Sequence, residues 1–130
     1  MKTHVSVVSA VAVIATLSIV YAQQPTFKRT ELQRGDLSTP GREAVMAIAD
    51  IPPGVASGRH THPGEEVAYV LEGTLTVEVE GKPATTLKAG DVFLIPAGRI
   101  HNARNDGSAP VKVLATYVVE KGKPLATPAP

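Results

Sequence analysis

The chain has 130 residues, and its 13 basic and 12 acidic side chains leave a formal net charge of +1. That balance argues against nucleic acid or an anionic membrane surface as a partner, since both attract strongly basic proteins. The chain contains no cysteine, so disulfides, thiolate zinc sites and cysteine nucleophiles are excluded, and any bound metal must use histidine and carboxylate ligands.

Residues 1–22 have the pattern of a secretory signal peptide. Lys2 supplies positive charge, residues 5–20 form an uncharged apolar run, and Ala22 ends a small-residue cleavage site. The apolar run is shorter than the roughly 20 residues of a membrane-spanning helix. We therefore predict export to a bacterial periplasm or secretion, with no stable membrane span after processing. The alternative is an uncleaved membrane anchor.

The sequence pattern of residues 23–80 predicts an N-terminal arm followed by strands. Residues 23–43 are polar, which indicates an N-terminal arm with one short strand near residues 27–32. Apolar runs of strand length follow at 44–51 and 67–71. Residues 74–80 alternate, with Leu75, Val77 and Val79 on one face and polar residues on the other, which predicts a half-buried antiparallel strand.

Short strands separated by Gly and Pro turns continue through the second half. They are expected at 84–87, 92–95, 101–104 and 111–119. The Asn105-Asp106-Gly107 sequence predicts a hairpin before the last of them. Residues 120–130 are rich in proline and predict a disordered tail. With no helical period after residue 22, about seven or eight short strands indicate an all-β sandwich or barrel.

Residues that bind metals are concentrated in residues 54–73. His60 and His62 are two apart, so on an extended backbone both imidazoles point to the same side. A Pro-Gly break then lets the chain turn and bring Glu66 back toward them. Imidazoles and a carboxylate are ligands for first-row transition metals. A further histidine, His101, must be brought in by folding.

The spacing of these residues resembles the two motifs of the cupin family. The first motif is Gly, five residues, His, one, His, three, Glu, six, Gly, and the second is Gly, five, Pro, one, Gly, two, His, three, Asn. The matching residues are Gly54, His60, His62, Glu66 and Gly73, then Gly90, Pro96, Gly98, His101 and Asn105. The resemblance covers residues 44–119, a cupin domain, and implies a double-stranded β-helix, a small jelly-roll barrel that holds one metal.

The resemblance also implies the ligand set. In the family the two histidines and the glutamate of the first motif and the histidine of the second bind the ion, here His60, His62, Glu66 and His101. This set suits one divalent transition metal per chain, Fe, Mn, Ni, Cu, Co or Zn, and is too nitrogen-rich for Ca or Mg. Glu65 competes for the carboxylate role, but adjacent side chains of a strand lie on opposite faces and the motif spacing favours Glu66.

Three other residues are candidates for contacts to a substrate. Tyr69 and Tyr117 would place hydroxyls in the pocket as contacts or proton donors. Arg99 lies two residues before His101 and would pair with an anionic substrate. The alternatives stay open, since the tyrosines would otherwise fill the barrel wall and the arginine would be a solvated loop residue.

The resemblance predicts an exported, metal-dependent, dioxygenase-like oxidoreductase acting on a small oxygenated organic substrate, similar to quercetin dioxygenase-like cupins. One alternative is a metal-assisted isomerase or lyase, and another is a non-enzymatic periplasmic module that binds a metal or small ligand. The motifs alone do not separate these functions. Open sheet edges in a small β domain also predict a homodimer.

Overall fold

The computed structural model describes residues 23–130, and the predicted signal segment lies outside the described residues. In the described range the chain forms strands and no helix, so no helix there is long and apolar enough to cross a membrane. The strands are β1 (Lys28–Asp36), β2 (Arg42–Ile51), β3 (His60–Thr61), β4 (Gly64–Glu72), β5 (Thr74–Val79), β6 (Thr85–Lys88), β7 (Val92–Ile95), β8 (His101–Arg104), β9 (Val111–Glu120) and β10 (Thr127–Pro128).

The strands form two five-stranded antiparallel sheets, in the orders β1-β2-β9-β4-β7 and β10-β3-β8-β5-β6. Only β1–β2 and β5–β6 are consecutive strands that pair within one sheet; at the other connections the chain crosses to the opposite sheet. Repeated crossing winds the chain around one interior, which is the architecture of a jelly roll. The predicted all-β, double-stranded β-helix fold is confirmed.

The core lies between the sheets and follows from the alternation of side chains along their longest strands. In β2 and β9 every second residue is buried and the residues between them are partly or fully exposed. The buried members include Val45, Ile51, Val111, Val113 and Val119. Each fully buried aliphatic side chain contributes roughly 1.5–3 kcal/mol, so these two central strands hold much of the hydrophobic stabilisation.

The strand β5 departs from the predicted alternation. Leu75 and Val77 are buried as expected, but Thr76 between them is also only 8% exposed. Its hydroxyl donates a hydrogen bond to Asp106 Oδ2 at 3.0 Å. The loop that follows β8 therefore covers Thr76, a polar residue on the outward face of β5. The alternation pattern contains no information about this contact.

The predicted hairpin at Asn105-Asp106-Gly107 is wrong, because β8 and β9 belong to different sheets. Asn105 is 1% exposed. Its Nδ2 donates to the carbonyl oxygens of Ile51 and Ala109 at 2.9 and 2.8 Å, and its Oδ1 accepts from the Gly107 amide at 3.0 Å. The Asn105 side chain thus stabilises, through these hydrogen bonds, the connection by which the chain crosses from β8 in one sheet to β9 in the other.

Replacing Asn105 with alanine is expected to destabilise the protein by about 2–4 kcal/mol, since it removes two hydrogen bonds and leaves the buried Ile51 carbonyl without this donor. Denaturant unfolding measures the loss. Asn102→Ala is the matched control, because the Asn102 amide donates to the half-exposed Glu78 and should cost less than about 1 kcal/mol. Equal effects of the two substitutions would contradict the stabilising role of Asn105.

Both terminal segments are more ordered than the sequence predicts. The N-terminal arm contains β1, which is longer than the expected strand and pairs along its length with β2. The predicted disordered tail, residues 120–130, instead contains β10, which pairs with His60 and Thr61 of β3. The reason is that β3 would otherwise leave backbone donors and acceptors unpaired at a sheet edge, where proline residues are tolerated.

The glycine that ends the first motif is required by its surroundings. Gly73 has a φ of 79°, a conformation that residues with a Cβ resist. A Cβ there would lie 2.4 Å from the Pro110 carbonyl oxygen. Gly73 therefore permits the tight connection between β4 and β5, and with it the position of β4 and Glu66 in the barrel.

Candidate metal centre

The two sheets each bring part of a polar cluster into the barrel interior. His60 lies on β3 directly opposite His101 on β8, and His62 follows β3. Glu66 comes from β4 in the other sheet. All four side chains are buried, with 3–7% of each residue exposed. The structure thus brings together the four residues that the motifs single out.

The cluster is compact. One ring nitrogen from each of His60, His62 and His101 lies within 4.8 Å of the other two. His60 Nε2 is 3.2 Å from His62 Nε2, and Glu66 Oε2 is 3.1 Å from the Nε2 atoms of both His62 and His101. The three histidine nitrogens therefore lie close enough to share one ion, and the Glu66 carboxylate lies beside two of them.

The backbone fixes which nitrogen of each ring carries the hydrogen. His60 Nδ1 lies 2.7 Å from the Gly58 carbonyl oxygen, and His101 Nδ1 lies 2.9 Å from that of Arg99. His62 Nδ1 lies 2.6 Å from the carbonyl oxygen of Leu125. A carbonyl oxygen only accepts, so each Nδ1 is the donor, and a ring in its neutral form presents a bare Nε2 to the centre.

This arrangement fits a cation. Three bare Nε2 atoms and a carboxylate are all acceptors, so their close approach is unfavourable until a proton or a metal ion lies between them. The second interaction of each ligating histidine, Nδ1 to a carbonyl, is the one that orients imidazoles in metal sites. The donor set is that of a transition metal, and the carbonyl contacts hold it in a binding-competent form.

The protonation states agree with this geometry. Burial raises the pKa of Glu66, but hydrogen bonds from His101 and His62 when their Nε2 atoms carry a proton, together with the positive charge of those protonated rings, outweigh burial and lower that pKa to about 2. Burial lowers the pKa of His60 to about 4, and the neighbouring His101 and His62 add to the effect. At neutral pH Glu66 is therefore a carboxylate and His60 a neutral imidazole, the forms that bind metals.

The alternation of β4 decides between the two adjacent glutamates. Glu65 is exposed and Glu66 is 7% exposed with its carboxylate in the cluster. The expectation that only Glu66 points inward is thus met in the structure.

The three predicted substrate contacts have different positions. Tyr117 is 1% exposed, and its ring centroid lies 4.6 Å from that of His62. Tyr69 is 45% exposed because its position in β4 alternates with the inward Glu66 and Ala68, so its hydroxyl is not brought to the interior. The Arg99 side chain is exposed, and only its backbone carbonyl takes part, as the acceptor for His101.

A small cavity adjoins the cluster. Its volume is about 20 Å³, room for about one water molecule. His60, Glu66, His101 and Tyr117 line it together with apolar side chains such as Phe93. The space beside the four polar residues is therefore narrow and largely apolar.

Arg29, on β1, also lines this cavity, and sequence reasoning missed it. Its Nε donates to the Tyr117 hydroxyl at 3.2 Å, and its Cζ lies 5.1 Å from the centre of the Phe27 ring. Burial and the Glu66 carboxylate raise the pKa of Tyr117 to about 12. Tyr117 therefore stays a neutral phenol that accepts from Arg29 and keeps its own proton to donate.

The second group that sequence reasoning missed is the Leu125 carbonyl. It accepts the His62 Nδ1 hydrogen and belongs to the segment predicted to be a disordered tail. A backbone carbonyl has no residue-type signature, so no motif points to it. The C-terminal segment therefore contributes directly to the orientation of a candidate ligand.

Residues 47–117, more than half of the chain, match the family described as "Cupin domain". The protein belongs to the cupin family. Solved structures agree on the architecture. The alignment with a double-stranded β-helix protein from Klebsiella pneumoniae covers 83% of this cupin and 90% of that protein's chain, with a TM-score of 0.66 at 22% identity. At that identity the likeness shows the fold alone.

The relatives include proteins with functional names. A germin-like protein, subfamily 2 member 2, of Arabidopsis thaliana is 42% identical over 77 residues, which are 55% of this cupin and 35% of the relative. An oxalate-binding protein of Thermotoga maritima is 36% identical over 76 residues, 58% of this cupin and 62% of the relative. The matches thus span less than two thirds of these relatives. A structure of recombinant oxalate oxidase in complex with glycolate has a TM-score of 0.64 at 25% identity, covering 78% of this cupin and 54% of that chain.

Proposed function

We propose that this cupin binds one divalent transition metal through His60, His62, Glu66 and His101 and oxidises a small oxygenated organic acid. The observation that carries the proposal is the cluster of three buried histidine nitrogens with one buried carboxylate against two of them. When bound, such a metal supplies a Lewis acid and a centre for electron transfer. The identity of the ion is set by affinity and supply, not by these ligands.

A short carboxylic acid is the substrate class that the surroundings favour. The cavity is narrow, and Arg29 supplies a positive charge at its wall, which would neutralise a carboxylate. The names of two relatives, oxalate-binding protein and oxalate oxidase with bound glycolate, point to the same chemistry. We therefore place a short hydroxy or dicarboxylic acid first among the substrates to be tried.

The other residues have roles that follow from their positions. Arg29 would hold and orient the anion, and Tyr117 would donate a proton to a substrate oxygen, since burial keeps the phenol protonated. Phe93, Leu75 and Val113 form apolar walls that exclude bulk water and strengthen the charge interactions inside.

A non-enzymatic binding role is the second candidate. Beyond Tyr117 and Arg29, the cavity lining offers no titratable group outside the predicted ligand set, and one relative is named for binding rather than for turnover. An isomerase or lyase would use the same site without consuming oxygen.

One experiment separates these functions. The protein is loaded in turn with Mn, Fe, Ni, Cu, Co or Zn, its metal content is measured by elemental analysis, and oxygen uptake is followed with oxalate, glycolate and related acids. Oxidation predicts about one ion per chain and substrate-dependent oxygen uptake with at least one redox-active metal. Retention of the acid without product supports the binding role, whereas anaerobic turnover supports the isomerase or lyase.

Export is a proposal of its own, motivated by the pattern of residues 1–22. Cell fractionation followed by mass spectrometry tests it, with a mature N-terminus at Gln23 as the expected result. An intact N-terminus in the membrane fraction would favour the uncleaved anchor instead.

We also propose that a second copy of the chain covers the outer face of the β1-containing sheet. Val67 and Tyr69 of β4 lie beside Leu94 and Val92 of β7, and all four are 45–66% exposed. A contiguous apolar patch of this kind marks an interface. Because the patch carries no charge, two copies related by a two-fold axis would bring it together without burying like charges.

Leu94→Glu is expected to convert the dimer to a monomer, since it places a charge at the centre of the apolar contact. Sedimentation or light scattering at micromolar concentration measures the mass. Leu32→Glu is the matched control, because Leu32 is similarly exposed, at 52%, but lies on β1 at the opposite sheet edge. A monomeric wild-type protein would refute the dimer.

A further inference from the structure

A groove opens beside the cavity, between the two terminal segments of the chain. Its volume is about 230 Å³. Phe27 and Arg29 contribute from the N-terminal arm, Ala126 and Pro128 from the C-terminal segment, and residues 57–60 form the remaining wall. Phe27, Arg29, Ser57 and His60 line both this groove and the cavity. We call it the entrance groove, because it shares these four side chains, including the candidate ligand His60, with the cavity beside the metal centre.

Arg29 is the one positively charged side chain among the four that line both groove and cavity, and it has no ion-pair partner in residues 23–130. Arg34, Arg59 and Arg104 each form an ion pair with a carboxylate. Arg29 forms none with any acid of residues 23–130 and has one hydrogen bond there, from Nε to Tyr117. Because Arg29 is half-buried, an anion that pairs with its guanidinium is screened less by water and salt than at a fully exposed site.

The side chain is nevertheless held in place. The guanidinium carbon lies 5.1 Å from the Phe27 ring centre and 5.6 Å from that of Tyr117, within the range of cation–π contact. These two rings and the Nε hydrogen bond fix the guanidinium and leave both terminal nitrogens without a partner in the described chain. A pair of free, pre-positioned N–H donors matches the two oxygens of a carboxylate.

We propose that Arg29 is the recognition site for the carboxylate of an anionic ligand whose remaining atoms occupy the entrance groove. This inference deepens the proposed function and rests on it, since the other end of the ligand would meet the metal centre. Arg29 thereby selects for acids over neutral molecules of the same shape. The ligand is a short carboxylic acid with a second carboxylate or a hydroxyl group.

The volumes set the size of that ligand. The cavity holds about one water molecule, so most of the ligand must lie in the groove. At about 230 Å³ the groove is smaller than the roughly 300–1,000 Å³ of sites for drug-sized molecules. Acids with a few carbon atoms fit, and large aromatic substrates do not.

Four of the eight residues that line the groove lie outside the part of the chain that matches the cupin family. The match covers residues 47–117, whereas Phe27, Arg29, Ala126 and Pro128 come before or after it. Ligand choice in this protein therefore depends in part on the two segments that flank the family-matched region and that lie against the barrel common to the family.

Calorimetric titration of oxalate, glycolate and the neutral analogue glycolamide into the zinc-loaded protein tests the proposal. Zinc has no redox chemistry, so binding is measured apart from turnover. We expect Arg29→Gln to weaken oxalate binding about 10–100-fold, the loss of one charge-assisted pair. Binding of glycolamide and the zinc content should be unchanged. Arg29→Lys keeps the charge without the paired donors, should be intermediate, and provides a second test if Arg29→Gln folds poorly.

Arg34→Gln is the matched control, because Arg34 lies on the same strand as Arg29 but lines neither space, and it should bind oxalate like the wild type. Equal oxalate affinity in the Arg29 variants and the wild type overturns the proposal, and so does a wild type that binds none of these acids. A loss of zinc in Arg29→Gln also overturns it, since Arg29 would then act on the metal centre. If oxalate binding depends on Arg29 but no metal form takes up oxygen, the recognition role of Arg29 is supported. Only the proposed oxidation is then refuted.

Discussion

Replacing His101 with alanine is expected to reduce metal affinity by more than about 100-fold, because removing a ligand costs more than the 10–100-fold typical of its supporting contacts. His60→Ala should behave in the same way, since the two residues are opposite each other on paired strands. Elemental analysis after dialysis and competition with a chelator measure the loss. Thermal stability should also lose its dependence on added metal. Unchanged metal content in either variant would refute the ligand assignment.

The adjacent glutamates provide a matched pair for the same prediction. Glu66→Gln removes the buried charge at constant size and is expected to weaken metal binding about as much as a histidine replacement. Glu65→Gln changes an exposed residue and should leave metal affinity within about twofold of the wild type. The comparison controls for net charge, since both variants lose one negative charge from neighbouring positions of β4.

The metal-free forms distinguish a ligand from a structural carboxylate. Without an ion, a proton shared between Glu66 and Nε2 of His62 or His101 links these groups, and a glutamine amide would donate hydrogen bonds to the same nitrogens. Metal-free Glu66→Gln is therefore expected to be about as stable as metal-free wild type while gaining no stability from added metal. A large loss of stability in the metal-free variant would indicate that Glu66 serves the fold instead.

His60, His62 and Glu66 could be predicted to lie together because their spacing is local and matches strand geometry, whereas His101 was placed with them only by the resemblance to the second cupin motif. His60 and His62 share a side, Glu66 alternates away from Glu65, and His101 begins a strand that pairs with β3. The fold class could be predicted for a related reason, since alternating apolar residues between Gly and Pro turns indicate strands that each bury one face.

The remaining features depend on long-range pairing, which no local pattern encodes. The turn at Asn105-Asp106-Gly107 reverses the chain, but the composition of a turn does not say which sheet receives the next strand. Proline-rich composition predicted disorder after β9. That prediction was wrong because composition contains no information about the open edge of β3, with which β10 pairs. Arg29 was missed because it lies in a polar strand with no motif. It comes close to Tyr117 only because β1 pairs with β2 at the edge of the sheet that also contains β9.

The C-terminal segment provides the second large prediction. Ending the chain after Pro124 removes the Leu125 carbonyl that fixes the His62 tautomer and removes the pairing of β10 with β3. His62 would then be free to place its hydrogen on Nε2, the atom that faces the centre. We expect metal affinity to fall about 10–100-fold, the typical cost of losing the contact that orients a ligating histidine.

A shorter truncation separates this effect from a general loss of contacts. Ending the chain after Pro128 removes the hydrogen bond from the Ala129 amide to the Arg59 carbonyl but keeps both Leu125 and β10, so metal affinity should stay within about threefold of the wild type. Chelator competition gives the affinities, and thermal unfolding of the metal-free proteins checks that both truncated chains fold. If the two truncations bind metal equally well, the terminal segment does not orient His62. A loss confined to the longer truncation shows that one backbone carbonyl, supplied from outside the family-matched region, controls the metal centre.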